Sequence, residues 1–225
     1  MENKFISVAI DGPAGAGKSS VAKAVSKKMG YVYIDTGAMY RAVGLFAVRN
    51  NLDTRNSDGA LVKALDNIDI VIEYVAGEQH VILNGEDVYS LIRTPEVSMA
   101  ASNVATVKEV RDKLVSLQRI MAKKSNVIMD GRDIGTNVLR DANIKIFLTA
   151  SAEKRAKRRY DELLLKGEKV DFDEVLADVI KRDKNDSERK ESPLRVAEDA
   201  VLIDNGDMNL EESIEYIFNF IQERI

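Results

Sequence analysis

The chain has 225 residues, of which 45% are hydrophobic and 31% are charged, a composition typical of a globular protein with one large domain or a core and a small appendage. Its formal net charge of −4 argues against general affinity for nucleic acid or anionic membranes, so any basic site must be local. The sequence has no cysteine, which excludes disulfides, cysteine-ligated metal sites and a cysteine nucleophile.

The first elements alternate between strand and helix. FISVAI (residues 5–10) is a short apolar run that ends before Gly-Pro and predicts a buried strand. A helix is expected over residues 18–29, a second strand over residues 31–35 and a second helix over residues 36–51. This alternation indicates a parallel sheet with helices on both faces.

The length of the apolar runs bears on the cellular environment. FISVAI is too short for the core of a signal peptide, and a glycine-rich loop follows it at once. No run approaches the ~20 apolar residues that a membrane-spanning helix needs. The sequence therefore predicts a cytoplasmic protein without a membrane partner.

The pattern changes near residue 66. Three β-rich runs follow one another without a helix between them, at residues 68–75, 79–83 and 86–90, and Asn84-Gly85 is a strong signal for a tight hairpin turn. We expect a small antiparallel sheet that is separate from the main one, because strand and helix alternate again after it; the alternative is a hairpin at the edge of the main sheet. His80 is the single histidine and can form neither a histidine metal site nor a triad by itself, so we interpret it as an incidental strand residue.

The second half of the chain returns to alternation. Residues 95–124 contain a long helical stretch, with apolar side chains three or four positions apart between Val107 and Met121. Strands are predicted at residues 126–133, 144–150 and 200–206, a charged helical region over about 152–190, and a closing helix over 210–225.

The glycine-rich segment after the first strand fits the P-loop pattern G-x-x-x-x-G-K-[ST], with the residues Gly12, Pro13, Ala14, Gly15, Ala16, Gly17, Lys18 and Ser19. Glycines let the backbone wrap around phosphate oxygens, and the helix that begins near Lys18 adds its positive N-terminal end. The lysine of such a loop reaches the β and γ phosphates, and its serine, here Ser19, ligates Mg²⁺. A strand before the loop and a helix after it argue against a chance glycine turn.

Two aspartates lie near predicted strand ends. Asp11 stands immediately before the loop and is interpreted as orienting the turn. Asp130 ends an apolar strand, like the aspartate that precedes Mg²⁺ in many P-loop folds, and is either a metal-side residue or an anchor of its own turn. The guanine-reading N-K-x-D pattern of GTPases is missing from the sequence, so GTP is not the expected nucleotide.

Arginines are placed where a phosphate-transfer enzyme needs positive charge. Arg41 and Arg132 are expected at the carboxyl edge of the sheet, where open α/β sheets bind ligands. Two further sets are each spaced to line one helix face: Arg155, Arg158 and Arg159, and Arg182, Asp186 and Arg189. The alternative is a solvated charged face. The P-loop favours phosphate contacts instead, because phosphoryl transfer depends on positioning and cationic stabilisation.

At this point the motifs resemble those of the bacterial cytidylate kinases, a family of nucleoside monophosphate kinases. The resemblance covers essentially the whole chain and rests on IDGPAGAGKSS, DTGAMYRAV, LNGEDV with IRTPEVSMAAS, IMDGRDIGT, KIFLTAS and the SPL segment before DAVLID. The P-loop is shared with many kinases, whereas DGRDIGT and the small-sheet insert before RTPEVS are more particular to this family.

The resemblance implies an α/β P-loop fold of three layers, with a parallel five-stranded sheet, a small antiparallel β insert and a helical lid. The core kinase domain would comprise residues 1–62 and 102–225. Residues 63–101 would form an insert of the monophosphate-binding domain, and residues 151–168 a lid segment within the core.

The resemblance also implies roles for individual residues. The loop from Gly12 to Ser19, with Ser20, would bind ATP and Mg²⁺, together with Arg155 and Arg158. The acceptor nucleotide would contact Thr36, Arg41, Ser102, Arg111, Arg132, Asp133, Arg182, Asp186 and Arg189. The expected catalytic residues are Lys18, Arg132, Arg155, Arg159 and Arg182. Without the resemblance, Ser102 looks like a helix cap and Arg111 like an exposed helical residue.

Within the acceptor set, Ser102, Arg111 and Asp133 would read the cytosine ring. Asp133 can accept a hydrogen bond from the cytosine amino group, and Arg111 can donate to the ring acceptors N3 and O2. Uracil reverses part of this edge and would leave buried groups mismatched. Arg132, Arg182 and Arg189 would contact the acceptor phosphate region, and Asp186 the sugar hydroxyl.

The implied reaction is phosphoryl transfer from ATP to CMP or dCMP, without a general base because the acceptor phosphate oxygen is already ionised. A kinase for another small acceptor, such as UMP, is an alternative. A nucleotide-dependent switch is an alternative outside the enzymes, against which the missing guanine motif and the arginines argue. The expected partners are ATP, CMP or dCMP and Mg²⁺, without nucleic acid, and the protein is expected to be a monomer.

Overall fold

The computed structural model describes residues 5–75 and 77–225. Residues 1–4 and Ala76, which falls in the turn predicted between the first two runs of the small sheet, lie outside the described residues. The chain divides into two compact units, Ile34–Met121 and the residues on either side of it. The insert expected at residues 63–101 lies within Ile34–Met121, which also takes in the flanking helices.

In chain order the elements are β1 (Ser7–Asp11), α1 (Lys18–Met29), β2 (Val32–Asp35), α2 (Thr36–Arg49), α3 (Ala60–Ala64), β3 (Ile70–Val75), β4 (Glu78–Leu83), β5 (Glu86–Asp87), α4 (Pro95–Val104), α5 (Lys108–Ala122), β6 (Val127–Gly131), β7 (Ile144–Thr149), α6 (Ala152–Leu165), α7 (Phe172–Glu188), β8 (Val201–Asp204) and α8 (Leu210–Gln222). Short 3₁₀ turns lie at Leu65–Asn67 and Leu91–Arg93, and a π-helical turn at Ile134–Val138.

The five-stranded sheet has the order β2-β6-β1-β7-β8. β1 pairs in parallel with both β6 and β7, and its residues are all buried, as expected for apolar strands covered on both faces. The register places Asp11 opposite Gly131, so the P-loop and the residues after Gly131 leave the sheet side by side. The α/β fold with a parallel five-stranded sheet is therefore confirmed.

The core of the first unit fills the space between the sheet and two helices. Its buried side chains are Val8, Ile10, Val21, Ala22, Val25, Ile128, Ile144, Ile146, Leu148, Ile203, Ile217 and Ile221. α1 begins at Lys18 and ends before Gly30, which has a φ of 68° and whose N–H donates to carbonyl oxygens of the last turn. The predicted bounds of this helix are confirmed.

The second unit contains a separate antiparallel sheet of order β3-β4-β5, so the expectation of a separate sheet is confirmed and the edge hairpin is excluded. Asn84 and Gly85 have φ values of 50° and 84°, both left-handed, as a tight hairpin turn requires. α2 packs closely on α4 at Gly44, where a Cβ would lie 2.9 Å from the backbone nitrogen of Ala101. Glycine therefore sets the distance between these two helices.

Each of two helical predictions corresponds to a pair of helices. Residues 95–124 form α4 and α5, because Thr106 donates from its backbone nitrogen and its hydroxyl to the oxygen of Asn103 and ends the first helix. Residues 152–190 form α6 and α7. Gly167 follows α6 in the left-handed region, and the Asp171 side chain caps the start of α7.

Candidate active site

The P-loop lies tightly against β7. Gly12 has a φ of 145°, and a Cβ at this position would lie 2.0 Å from the backbone oxygen of Leu148, so a side chain cannot be accommodated. Gly17 has a φ of 85° and turns the chain into α1. A glycine loop that leads directly into a helix N-terminus is the arrangement that binds phosphate.

Lys18 is buried, and its Nζ donates to the carbonyl oxygen of Pro13 at 2.7 Å, across the loop. Burial lowers the pKa of Lys18 well below its ordinary value, and the positive charge of Arg132 lowers it further, while Asp130 and Asp11 act in the opposite direction. Negative phosphate charge close to the ammonium group would favour its protonated form. Burial and Arg132 together therefore outweigh the nearby carboxylates at Lys18.

Ser19 and Asp130 are in direct contact. The Ser19 hydroxyl donates to Asp130 Oδ2 at 2.8 Å, and the Tyr33 hydroxyl donates to Oδ1 at 3.0 Å. A hydroxyl beside a carboxylate offers the hard oxygen ligands that Mg²⁺ takes in P-loop proteins, and the same two hydrogen bonds also anchor Asp130 in its place. Among residues 5–75 and 77–225 no cluster of three or more acidic, histidine or cysteine side chains could hold a metal by itself.

A cationic cluster forms where α7 meets the residue after β6. Arg132 Nε donates to Asp186 Oδ2 at 2.7 Å. Burial acts to raise the pKa of Asp186, but the charges of Arg132, Arg182 and Arg189 outweigh it and the pKa is lowered. Burial likewise acts to lower the pKa of Arg132, and the Asp186 carboxylate raises it overall. Arg182 and Asp186 lie one turn apart on α7, whereas Arg189 follows the end of α7 with an extended backbone, so the prediction of one helix face is correct only for the first two. Asp186 meets Arg132 there.

Asp133 belongs to the same group of charges. Its Oδ1 accepts from Arg189 Nη2 at 3.2 Å, and its Oδ2 accepts from Asn137 Nδ2 at 3.1 Å. Asp133 is buried, as expected for a side chain that reads a base edge. Just after it, the backbone N–H groups of Ile134 and Gly135 donate to the two carboxylate oxygens of Asp11 at 2.8 and 2.7 Å. Asp11 therefore orients the turn that follows β6.

The three arginines of α6 have different surroundings. Arg155 is buried and donates to the Ala14 carbonyl oxygen in the P-loop and to both oxygens of Asp183. Arg158 donates to the side-chain and backbone oxygens of Asn205. Arg159 is exposed and pairs with Glu162 on its own helix at 2.9 Å. We expected the three arginines to share one helix face. Arg155 and Arg158 both contact neighbouring elements, whereas Arg159 contacts only its own helix among the contacts described above.

Thr36 and Arg41 lie on α2 in the second unit. Thr36 is buried in the first turn, directly after Asp35, which caps the helix by accepting from the Ala38 N–H at 2.9 Å. Arg41 Nη2 donates to the other oxygen of Asp35 at 3.0 Å. Gln79 Oε1 accepts from the Asp35 backbone N–H at 2.8 Å, so β4 helps to hold this corner.

Ser102 and Arg111 lie on α4 and α5. Ser102 is half-buried within α4 rather than at its start, so its interpretation as a helix cap is wrong. Arg111 is buried, its Nη1 donates to the Ala105 carbonyl oxygen at 3.3 Å, and its guanidinium lies 5.6 Å from the centre of the Tyr40 ring. The interpretation of Arg111 as an exposed helical residue is also wrong, because α5 turns this position inward. A buried arginine close to an aromatic ring suits the recognition of a planar ligand.

The comparison with known families is decisive, because the sequence matches the cytidylate kinase family model over residues 8–223. The chain belongs to the cytidylate kinase family. Curated relatives named cytidylate kinase from Caldicellulosiruptor saccharolyticus and Clostridium perfringens are 53% and 51% identical, over 99% and 98% of this chain and 98% and 100% of their own lengths. A solved structure of an uncharacterized protein from Eubacterium ventriosum has a TM-score of 0.54 at 16% identity and covers 97% of this chain and 99% of its own. That likeness concerns the fold alone.

In this member of the cytidylate kinase family, two contact residues were missed by sequence reasoning. Asn205 is buried after β8, donates from Nδ2 to the Ala16 carbonyl oxygen at 3.1 Å and accepts from Arg158. Asp183 on α7 holds Arg155. Asn205 had a weak signal, since it stands near the carboxyl end of the strand predicted over residues 200–206. Asp183 had none, because its partner lies 28 residues away on another helix.

His80 and the expected absence of a membrane-spanning helix concern parts of the chain outside the P-loop and the arginine cluster. His80 lies in β4, its ring stacks on Tyr89 at 4.5 Å, and its Nδ1 lies 2.6 Å from Asp87 Oδ2. These contacts tie β4 to β5 and to the segment after it. In the part of the chain that the structure describes, no helix has both the length and the apolar character needed to cross a membrane.

Proposed function

We propose that this protein transfers the γ-phosphoryl group of ATP to CMP or dCMP, giving ADP and CDP or dCDP. The observation that carries the proposal is the cluster of Arg132, Arg182 and Arg189 around Asp186, next to a P-loop whose lysine interacts with the charge of Arg132. Three guanidinium groups against the two carboxylates of Asp186 and Asp133 leave one positive charge in excess for a second phosphate group. Membership of the cytidylate kinase family supports CMP as the acceptor.

On the donor side, the loop from Gly12 to Ser20 would hold the phosphates of ATP, with Lys18 against the β and γ groups. Ser19 and Asp130 would hold Mg²⁺, which would supply positive charge to the bound phosphates. Arg155 and Arg158 on α6 would contact the bound ATP beside the P-loop. Arg159 belongs to the same proposed lid segment, residues 151–168. Asn205 would hold Arg158 at a defined position relative to the P-loop, because it contacts both Arg158 and the Ala16 carbonyl oxygen.

On the acceptor side of the first unit, Arg132, Arg182 and Arg189 would bind the monophosphate. Asp186 holds Arg132 through Nε and the Gly131 carbonyl oxygen accepts from Nη1, so Nη2 would face the phosphate. Asp186 Oδ1 would accept from the sugar hydroxyl. Asp133 would accept from the cytosine amino group. For the second unit, we propose that Thr36 and Arg41 contact the monophosphate and that Ser102 and Arg111 contact the cytosine ring.

The chemistry then needs positioning and charge compensation rather than proton removal. A phosphate monoester dianion is a competent nucleophile, so the cluster needs no general base. Lys18 and Arg155 are buried, and attraction of a buried cation to developing negative charge is stronger than in water. Exclusion of water by the lid would suppress ATP hydrolysis.

The test is an acceptor panel with purified protein and Mg-ATP, in which ADP release is measured with CMP, dCMP, UMP and AMP and without acceptor. We expect turnover with CMP or dCMP at least about tenfold above that with UMP, because the mismatched uracil edge leaves buried polar groups unpaired. If the protein prefers UMP, then UMP would take the place of CMP as the proposed acceptor. ADP release without any acceptor preference would contradict the proposal, and so would nucleotide binding without turnover, which would indicate a switch.

The monomeric state and the cytoplasmic location expected from the sequence stay predictions. Size-exclusion chromatography with light scattering measures the first, and fractionation of cells measures the second.

A further inference from the structure

Asp11 is a buried acidic residue that the proposed mechanism does not use. It ends β1, immediately before Gly12, and is 5% exposed. Its Oδ1 accepts from the Ile134 N–H at 2.8 Å and its Oδ2 from the Gly135 N–H at 2.7 Å. Burying a carboxylate is unfavourable unless the charge is well hydrogen-bonded, so this two-point contact calls for an explanation.

We propose that Asp11 is a positioning residue for the acceptor nucleotide, because it holds the start of the turn that carries Asp133. The inference rests on the proposed function, in which Asp133 binds the cytosine ring. Asp11 itself need not touch a ligand.

The contact fixes the turn at two consecutive residues. One carboxylate oxygen on each of two adjacent N–H groups determines both the distance and the orientation of the peptide plane between them. The register of β1 with β6, with Asp11 opposite Gly131, keeps the carboxylate at the root of the turn. Because the Asp11 backbone is held in the sheet, its carboxylate also restricts the positions of Ile134 and Gly135.

The turn is also confined on its other side. A Cβ at Gly135 would lie 3.1 Å from Cδ of Lys145 and 3.5 Å from Oδ2 of Asp11, so the backbone lies between these two side chains. Lys145 is itself held by the Arg140 carbonyl oxygen and by both oxygens of Asp199. Displacement of the turn is therefore opposed from both directions.

Movement at Ile134 and Gly135 would reach Asp133 through short connections. The N–H groups of Asn137 and Val138 donate to the Asp133 carbonyl oxygen at 2.9 and 3.1 Å, which closes the π-helical turn over it. Asn137 Nδ2 donates to the Asp133 carboxylate as well. The backbone and the side chain of Asp133 are thus both tied to the turn that Asp11 holds.

The experiment measures the dissociation constants of CMP and of ADP separately by calorimetry, for the wild-type protein and for Asp11→Asn. Asparagine has the same shape but offers one acceptor and directs an NH₂ group at the second N–H. We expect the dissociation constant of CMP to rise about tenfold, the size of one lost charged hydrogen bond, and that of ADP to change less than about twofold.

The matched control is Asp53→Asn. The Asp53 carboxylate also accepts from two backbone N–H groups, those of Arg55 at 3.0 Å and Ser57 at 2.8 Å, but in an exposed turn of the second unit. Both dissociation constants should stay within about twofold of the wild-type values for this variant.

Each outcome separates the inference from the function on which it rests. Equal weakening of CMP and ADP by Asp11→Asn would overturn the inference, because it would show a general role in the P-loop; unchanged CMP affinity would overturn it too. A wild-type protein that binds ADP but not CMP would overturn the proposed function instead. If Asp11→Asn does not fold, Gly135→Ala tests the same contact from the turn, with the same selective loss of CMP affinity expected and normal CMP affinity contradicting the inference.

Discussion

Lys18 and Asp11 are buried ionisable residues at the two ends of the P-loop, and burial shifts the pKa of each in the direction that favours its neutral form. Burial lowers the pKa of Lys18, whereas it raises the pKa of Asp11 to about 6, although the backbone N–H groups of Gly135 and Ile134 act to lower it. Both residues therefore destabilise the ligand-free fold in exchange for function at the site. This gives each of them a separate, measurable consequence.

Replacing Lys18 by methionine should separate activity from stability. We expect Lys18→Met to lower kcat for CMP phosphorylation by a factor of about 1,000, because the charge beside the transferred group is lost. The free energy of unfolding should not fall, since the variant removes a buried charge and keeps the apolar stem. Steady-state kinetics and urea unfolding measure the two effects. Lys27→Met on the exposed side of α1 is the control, and a comparable loss of kcat there would contradict the assignment.

The raised pKa of Asp11 makes the stability of the protein depend on pH. Asp11 has a pKa of about 6 in the folded protein, against 3.8 as the ordinary value, so the folded state binds more protons between these values. The contribution of this group to the free energy of unfolding therefore falls as the pH rises from about 4 to about 6, by roughly 3 kcal/mol at about 1.4 kcal/mol per pKa unit. Asp11→Asn lacks this titration. Urea unfolding at pH 4.5, 5.5 and 6.5 should show the wild type losing stability relative to the variant as the pH rises, and a constant difference would refute the explanation.

Among the elements, α2 and α4 approach each other closely in the second unit. Gly44→Ala would bring a methyl group to 2.9 Å from the Ala101 nitrogen and 3.1 Å from the Ala100 Cβ. In an open helix position the same change stabilises by up to about 1 kcal/mol, but here we expect a loss of about 1–3 kcal/mol from forced separation of the helices. Urea unfolding gives the sign directly. A gain in stability would show that the two helices can move apart without strain.

At the same scale, α6 and α7 are joined to the P-loop by one arginine. Arg155 donates to both oxygens of Asp183 and to the carbonyl oxygen of Ala14. Asp183→Asn removes the charge that orients this guanidinium, and we expect the KM for ATP to rise about fivefold, with a smaller change in the KM for CMP. Asp178→Asn, an exposed acid on the same helix, is the control. An equal rise in both KM values would indicate general loosening of α7 rather than an effect on the P-loop.

At the scale of the whole molecule, each compact unit has its own apolar core. The proposed nucleotide-donor residues all lie in the first unit, so ADP should stabilise that unit by mass action. At 100 times its dissociation constant ADP should add about 2.7 kcal/mol, which corresponds to a rise in melting temperature of about 5–10 °C. Differential scanning calorimetry with and without Mg-ADP measures this. Lys18→Met should lose most of the shift, and a full shift in that variant would contradict the assigned role of the lysine.

Much of the fold could be predicted from the sequence because its signals are local. The bounds of α1 follow from a glycine at each end, the turn at Asn84-Gly85 follows from its left-handed residues, and the strands follow from short apolar runs. The break at Thr106 lies just before the apolar pattern that begins at Val107, and periodicity could not show that a separate helix precedes it, because a side-chain hydrogen bond to the Asn103 oxygen ends that helix.

The sequence by itself determined the P-loop and the set of arginines, because spacing along one chain specifies loops and helix faces, whereas ATP as the nucleotide was implied by the family resemblance. Only the tertiary structure decided which charges meet. It paired Arg132 with Asp186 and Arg155 with Asp183, set Arg159 apart, and placed Asp11 under the turn that follows β6. These contacts join residues 28 to 123 positions apart, and the pairing of β1 with β6 and the packing of α6 on α7 create them. Such separations leave no pattern in a single sequence.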